Sequence, residues 1–460
     1  MLQLIIIIAY FVVMVALGIF SRRQVKNRAD FFVAGRKGSL LLITGSLFAT
    51  IIGGSATVGV AGLGFTLGLA GVWWLWVGSI GLVILGIFFA GKLRKFALYT
   101  MPDLIELKYG RLVGMVTSAL IVSAWLGVIA GQIIATGKIL GALGIGDPVL
   151  WMAIFTAVTV FYTAVGGQYA DIKTDLAQGI IIFAGTLGGV ITLVARGGGI
   201  GEFIAAVPAS RMAFPVNAQF GWYDLAALTL LVGATYVAGP DMFSRMFSAK
   251  DEQTARKSAL ITAGLVAVFA LLPVAVGIGM SVLYPDIAAE QAFPLMVAKV
   301  MPPVAGGIVL GGFVGATMSS ADSCLLSAST ILTNNFIGKI KPDLTEKQVL
   351  LISRTGVVVL GVLSLGLALF LKGIISSLMF AYTVFTAGVI PLVIAAFYKE
   401  KLKVTSLGAL CAVIGGGGTA LFAKLNAVKY LDLGALGISV ALLLGVSLVQ
   451  NYLSSRRKTV

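Results

Sequence analysis

Residues 315–335 read GATMSSADSCLLSASTILTNN, one carboxylate among serines, threonines and small apolar residues inside a chain that is otherwise almost continuously apolar. A charge at the centre of a bilayer helix costs about 2.5–3.5 kcal/mol even on the lenient insertion scale, so such a residue faces a protein interior or water and has a partner. On a helix Ser319, Asp322 and Ser323 share one face through i, i+3 and i+4 spacing, with Ser320 beside them. Ser327, Ser329, Thr330 and Thr333 continue a looser polar side. Of these, Ser327 and Ser329 read as packing hydroxyls that bond the carbonyl four residues back. The stripe around Asp322 reads instead as a site.

Working outward, apolar residues make up 59% of the 460 and charged residues 11%, against about 25% charge in an ordinary globular domain. Runs of about 20 apolar residues, each able to cross the hydrocarbon core as a helix, recur along the whole chain. Thirteen are expected, over 2–20, 39–66, 70–91, 112–143, 148–165, 173–195, 222–247, 256–284, 296–335, 349–371, 374–398, 405–424 and 431–452. The fold class is therefore an all-α, polytopic membrane protein. The first run is too long for a secretory signal, has no charged leader and ends in SRRQVKNR without a small-residue cleavage site, so it reads as a retained helix.

Lysine and arginine concentrate in cytoplasmic loops. With the N-terminus outside and the C-terminus cytoplasmic, most of the 33 basic residues fall on the inner side, Arg22, Arg36, Lys92, Lys173, Arg245, Lys250 and Lys339 among them. The formal charge of +15 then follows from topology and attraction to the anionic lipid bilayer, with no nucleic-acid partner implied. Two cysteines, Cys324 and Cys411, give no disulfide framework, and the absence of histidine excludes a histidine proton relay. The expected location is the cell's inner (plasma) membrane; oligomeric state is left open.

The longest outer loop, ARGGGIGEFIAAVPASRMAFPVNAQFGW, separates five runs from a further five once the first is set aside. Five is odd, so two such halves would have inverted topology, and in transporters of that kind the first helix of each half is interrupted near mid-membrane, where freed backbone groups hold ions and substrate. Gly53 and Gly54 in SLFATIIGGSATVG and Gly239 and Pro240 in GATYVAGPDMFSR occupy corresponding positions. The same glycines could simply let helices approach closely. A second acid, Asp175, lies just inside the start of the run over 173–195 in AVGGQYADIKTDLAQGIIIFAG, with Asp171 and Lys173 expected at the interface. Two carboxylates and several hydroxyls, with no lysine or arginine in either apolar run, suit a small hard cation rather than a transition metal.

Five motifs in fixed order, DFFVAGR at 30–36, SLFATIIGGSATVG at 46–59, AVGGQYADIKTDLAQ at 164–178, RMFSAKDEQTARKSA at 245–259 and GATMSSADSCLLSASTILTNN at 315–335, resemble the sodium:solute symporter family. That group includes sodium/proline, sodium/galactose, sodium/sialic acid, glucose, iodide and choline transporters. The resemblance covers Asp30 to about Tyr398 and implies a LeuT-like core. Its inverted five-plus-five repeat would span 39–195 and 222–398, with an extra N-terminal helix at 2–20 and two C-terminal helices at 405–452. It also implies Na+ as the coupled ion. The first sodium site would comprise the carbonyls of Ala49, Ile52 and Ala316 with the side chains of Ser319 and Ser320. A second, present in some members, would map to Asp175, Ser319, Asp322 and Ser323.

The implied function is sodium-coupled symport of a small organic solute by alternating access, and no enzyme: no nucleophile, base and orienting group occur together on the inner helices. A proton-coupled permease, a choline-type transporter and an uncoupled channel stand as alternatives. Sugar-transporting relatives place polar side chains along the first break, where this chain has Ile51, Ser55 and Ala56, so a sugar is disfavoured. A quaternary ammonium wants an aromatic cage, and residue 51 is Ile. An amino acid or small carboxylate held by amides at a helix break is preferred, with Ser55, Gln132, Tyr236 and Tyr382 as the substrate-binding candidates.

Overall fold

The computed structural model describes residues 2–458 except 142–143, 145, 372, 427 and 429. The last two residues of the run expected over 112–143 thus lie outside the described residues. Among the described residues the chain is built of helices without a named strand, and eleven helices are long and apolar enough to cross a membrane. Two of the eleven contain a glycine with positive φ that interrupts them. The Ser55–Phe96 stretch turns at Gly68 (φ 64°), beyond which Gly71 packs against Leu63 and Gly64, and the Pro148–Arg196 helix breaks at Gly167 (φ 56°). An expectation of thirteen counts each of these as two.

Local chemistry sets the ends that matter for the site. Ser39 caps the Leu40–Ile51 helix by accepting from the Leu42 amide, and the helix stops at Ile52, whose φ/ψ of −86°/32° leads into Gly53 and Gly54. Helix resumes through Ser55–Gly59 into Val60–Leu67. In the other expected half, Ala234–Ala238 ends at Gly239, which is extended (φ −62°, ψ 141°), and Pro240 opens Pro240–Ser248. Proline suits that first position because its missing N–H has no partner there in any helix. Both interruptions foreseen from glycine and proline are present. The run expected to begin at 296 begins instead at Pro303, because Met301 is extended ahead of the Pro302–Pro303 pair.

The Pro303–Ile331 helix lies at the centre, with 83% of its most apolar window buried. It packs against the Leu40–Ile51, Arg111–Gly141 and Pro148–Arg196 helices. Helices that face lipid carry their apolar side chains outward instead: the first and last spans are only 22% buried. On the face rich in basic residues, the ends of the two interrupted helices are tied together. The Gly38 amide donates to the Ser248 carbonyl and the Lys250 amide to the Gly38 carbonyl, both at 3.0 Å, while Arg94 Nε donates to the Ala249 carbonyl at 2.5 Å. At the opposite end, Asn217 Nδ2 donates to the Leu67 carbonyl at 2.8 Å, which fastens the long loop over the Val60–Leu67 helix.

Candidate transport site

Asp171 and Asp175 stand four residues apart on the second half of the broken helix and so share a face. Asp322 and Ser319 approach them from the central helix, and a carboxylate oxygen from each of the three acids lies within 4.8 Å of the others. All three acids are fully buried. Asp175 accepts from Ser319 Oγ at 2.5 Å and from Ser46 Oγ. Ser323 Oγ contacts Asp171 Oδ1 at 3.3 Å and Thr50 Oγ1 at 3.1 Å. Asp322 accepts from no surrounding N–H or O–H donor, and its carboxyl lies against that of Asp171.

Two expectations are corrected here. Arg245, assigned to an inner loop, is fully buried. Its Nη2 donates to Asp171 Oδ2 at 2.7 Å and to Ser323 Oγ, lies 3.7 Å from Asp175 Oδ2, and its Nε donates to Ser46 Oγ at 3.2 Å. The physical reason is the restart of the helix at Pro240, which carries the chain back through the protein before it reaches the surface. The site is thus not free of basic residues. Asp171, placed at the interface, is interior because the chain breaks at Gly167 instead of looping out near 171. A Cβ at Gly167 would come within 2.7 Å of the Phe31 ring, so the break needs glycine on steric grounds as well as for its φ. Lys173 is exposed as expected and donates to Gln24 Oε1 at 2.7 Å.

The break in the first interrupted helix abuts this cluster. Ser320 Oγ donates to the Thr50 carbonyl at 2.6 Å and the Gly54 amide donates to Gln132 Oε1 at 2.7 Å, so side chains satisfy backbone groups that the helix releases. A Cβ on Gly53 would fall 2.7 Å from Gln132 Oε1 and 2.8 Å from Ser320 Cβ. Ala49, Ile52 and Ala316 are fully buried. Ser319, expected in both ion sites, is bonded to Asp175.

Beside the break is a small cavity with room for about 30 Å³. All four substrate candidates, Ser55, Gln132, Tyr236 and Tyr382, line it, together with Thr50 and Ser320. Sequence reasoning missed Trp125 and Asp241 there. Asp241 had a signal, since it follows the Gly239–Pro240 break directly; Trp125 had none, being one apolar residue in an apolar helix.

The sequence profile of the sodium:solute symporter family matches residues 31–416. The chain belongs to that family. It is 24% identical over 458 residues to a sodium/glucose cotransporter of Vibrio parahaemolyticus, covering 90% of this chain and 83% of that protein. Against a sodium/pantothenate symporter of Escherichia coli it is 26% identical, covering 97% and 95%. Among solved structures, a substrate-bound, outward-open Na+-coupled sialic acid symporter superposes with a TM-score of 0.82 at 17% identity, covering 98% of each chain. The fold is thus that of Na+-coupled symporters, and this sodium:solute symporter is a multi-pass membrane transporter of small organic solutes, not an enzyme. Apart from the Arg245 guanidinium, the polar side-chain groups gathered at the acid cluster are carboxylates and hydroxyls, the oxygen chemistry that suits a hard cation such as sodium.

Proposed function

We propose that this symporter imports its solute across the plasma membrane by alternating access, with the N-terminus outside and the C-terminus in the cytoplasm. The proposed core is the inverted pair 39–195 and 222–398 of a thirteen-helix protein. The first sodium ion binds where the Leu40–Ile51 helix ends, among the carbonyls of Ala49, Ile52 and Ala316 and the hydroxyls of Ser319 and Ser320. A second cation is held by Asp175, Asp322 and Ser323. The solute sits against Ser55, Gln132, Tyr236 and Tyr382.

One observation carries this proposal: Thr50 and Ser320 line the solute cavity and bond to each other at the helix break, and Thr50 also bonds Ser323 of the polar cluster. An ion that fixes their geometry fixes one wall of the cavity, so ion and solute favour the same conformation and each raises the other's affinity. One Na+ moving inward releases about 2.3 kcal/mol per 100 mV, and a tenfold gradient adds about 1.4 kcal/mol. Together these concentrate a neutral solute about several hundredfold.

A proton-coupled variant draws on a different observation. Three buried carboxylates face one guanidinium, and protons as well as sodium ions can make up the missing positive charge. Thermal unfolding of the purified protein in sodium against potassium separates the two. Sodium is expected to stabilise selectively through binding to the native state, and Ser319→Ala combined with Ser320→Ala to remove most of the effect. Equal stabilisation by the two cations rules sodium coupling out.

A further inference from the structure

The cavity is lined by a carboxylate that has no ion pair among the described residues. Asp241 lines it at the first turn of Pro240–Ser248. The nearest cation along that helix is Arg245, one turn on. Its hydrogen bonds go to Asp171, Ser46, Ser244 and Ser323, and its ion pairs are with Asp171 and Asp175. Among the described residues none of the ion pairs involves Asp241, and no lysine or arginine lines the cavity.

The remaining walls suit a positive nitrogen. Trp125, Tyr236 and Tyr382 all line the same space, and aromatic faces attract ammonium groups by cation–π interaction. Trp125 is 2% exposed and its Nε1–H has no hydrogen-bond partner, which leaves one buried donor free for an oxygen on the ligand. Residue 51 is Ile, but the aromatic surface missing there is supplied from the Arg111–Gly141 and Ile374–Phe397 helices instead.

We propose that the transported solute is a small molecule bearing a protonated or quaternary amine, with its nitrogen at Asp241 among Trp125, Tyr236 and Tyr382. This rests on the assignment of the cavity as the solute site. A simple carboxylate without an amine meets like charge at Asp241 and no cation to offset it. A neutral sugar brings no positive charge to Asp241.

The test is thermal unfolding of the full-length protein, in sodium and in potassium, with a panel at millimolar concentration: tetramethylammonium and ethanolamine as cations, glycine betaine and alanine as zwitterions, acetate and lactate as anions, and glucose. Amine-bearing compounds are expected to raise the melting temperature and the anions and glucose to leave it unchanged; the cation and zwitterion arms identify which kind of amine the site takes. Asp241→Asn is expected to weaken the responding amine about 10- to 100-fold, the loss of a charge-assisted contact, while the protein's own response to sodium persists and shows that it is folded. Asp241→Glu should retain more affinity than Asn. The proposal is overturned if anions or glucose stabilise and amines do not, if no amine stabilises, or if Asp241→Asn binds amines as the wild type does. A sodium-independent amine shift that disappears in Asp241→Asn would support the amine site and refute the sodium coupling.

Discussion

The acid cluster and the cavity beside the helix break share Thr50 as a border but treat charge in opposite ways. In the cluster, Asp171 and Asp175 have donors from three helices and a built-in cation, Arg245, with no part of these side chains exposed. In the cavity, Asp241 is left without an ion pair and Trp125 without an acceptor. A buried charge that is paired and hydrogen-bonded can be kept as permanent structure; a carboxylate without an ion pair beside a cavity is what the proposed amine would use. Asp322, inside the cluster and against Asp171 but with no N–H or O–H donor, stands between the two cases: a protonated partner of Asp171 or, as proposed, a ligand for an exchangeable cation.

Arg245 tests that contrast most severely. Removing one member of a buried ion pair leaves its partner's charge uncompensated, at about 3–5 kcal/mol. Arg245→Ala is therefore expected to lower stability by that order in detergent melts, and Asp171→Asn in the same chain to recover part of the loss. An Arg245→Ala protein as stable as the wild type would mean that the guanidinium is not the permanent cation of the cluster, and the difference between the two regions would disappear.

Much of this was legible from residues alone. Gly53–Gly54 and Gly239–Pro240 gave away both interruptions because only those residue types are both frequent at breaks and infrequent inside a helix that must run straight. The stripe through Ser319, Asp322 and Ser323 followed from 3.6-residue periodicity. Arg245 and Asp171 were misplaced for one shared reason: each sits near the end of an apolar run, where hydropathy alone cannot distinguish a loop from the continuation of an interrupted helix. Their spacing held the clue, since Asp171 is four residues before Asp175 and Arg245 sits within PDMFSRMFS, whose apolar neighbours are buried. Of the aromatic wall, Tyr236 and Tyr382 were legible, while Trp125 was not, because it sits in a predominantly apolar stretch with no polar residue beside it.

Asp322 sharpens the comparison next. If it is the ligand of a second, exchangeable sodium ion, Asp322→Asn removes one coupled charge, lowers the Hill coefficient for sodium toward one and reduces maximum accumulation about several hundredfold, with transport through the first site persisting. Reversal potentials of coupled transport in proteoliposomes measure this directly. An identical charge-to-solute ratio in wild type and variant would place Asp322 with the permanent part of the cluster, as a protonated group whose shape Asn preserves.

The smallest expected effect asks whether cavity and cluster can be separated at all. Tyr236 lines the cavity and lies close to Gly78 and Gly81 of the neighbouring helix, whose missing side chains make room for its ring. It has no hydrogen bond to Asp171, Asp175, Asp322 or Arg245. Tyr236→Ala should therefore weaken solute binding about tenfold, the scale of one lost aromatic contact with a positive nitrogen, and change sodium affinity less. Some change in sodium response remains expected in the presence of solute, because the two ligands are linked and a weaker solute stabilises the shared state less. Measured without solute, sodium-dependent stabilisation should match the wild type. If sodium binding collapses while solute binding holds, the walls of the cavity have been drawn around the wrong ligand, and Tyr236 acts on the helix break that it shares an element with rather than on the solute.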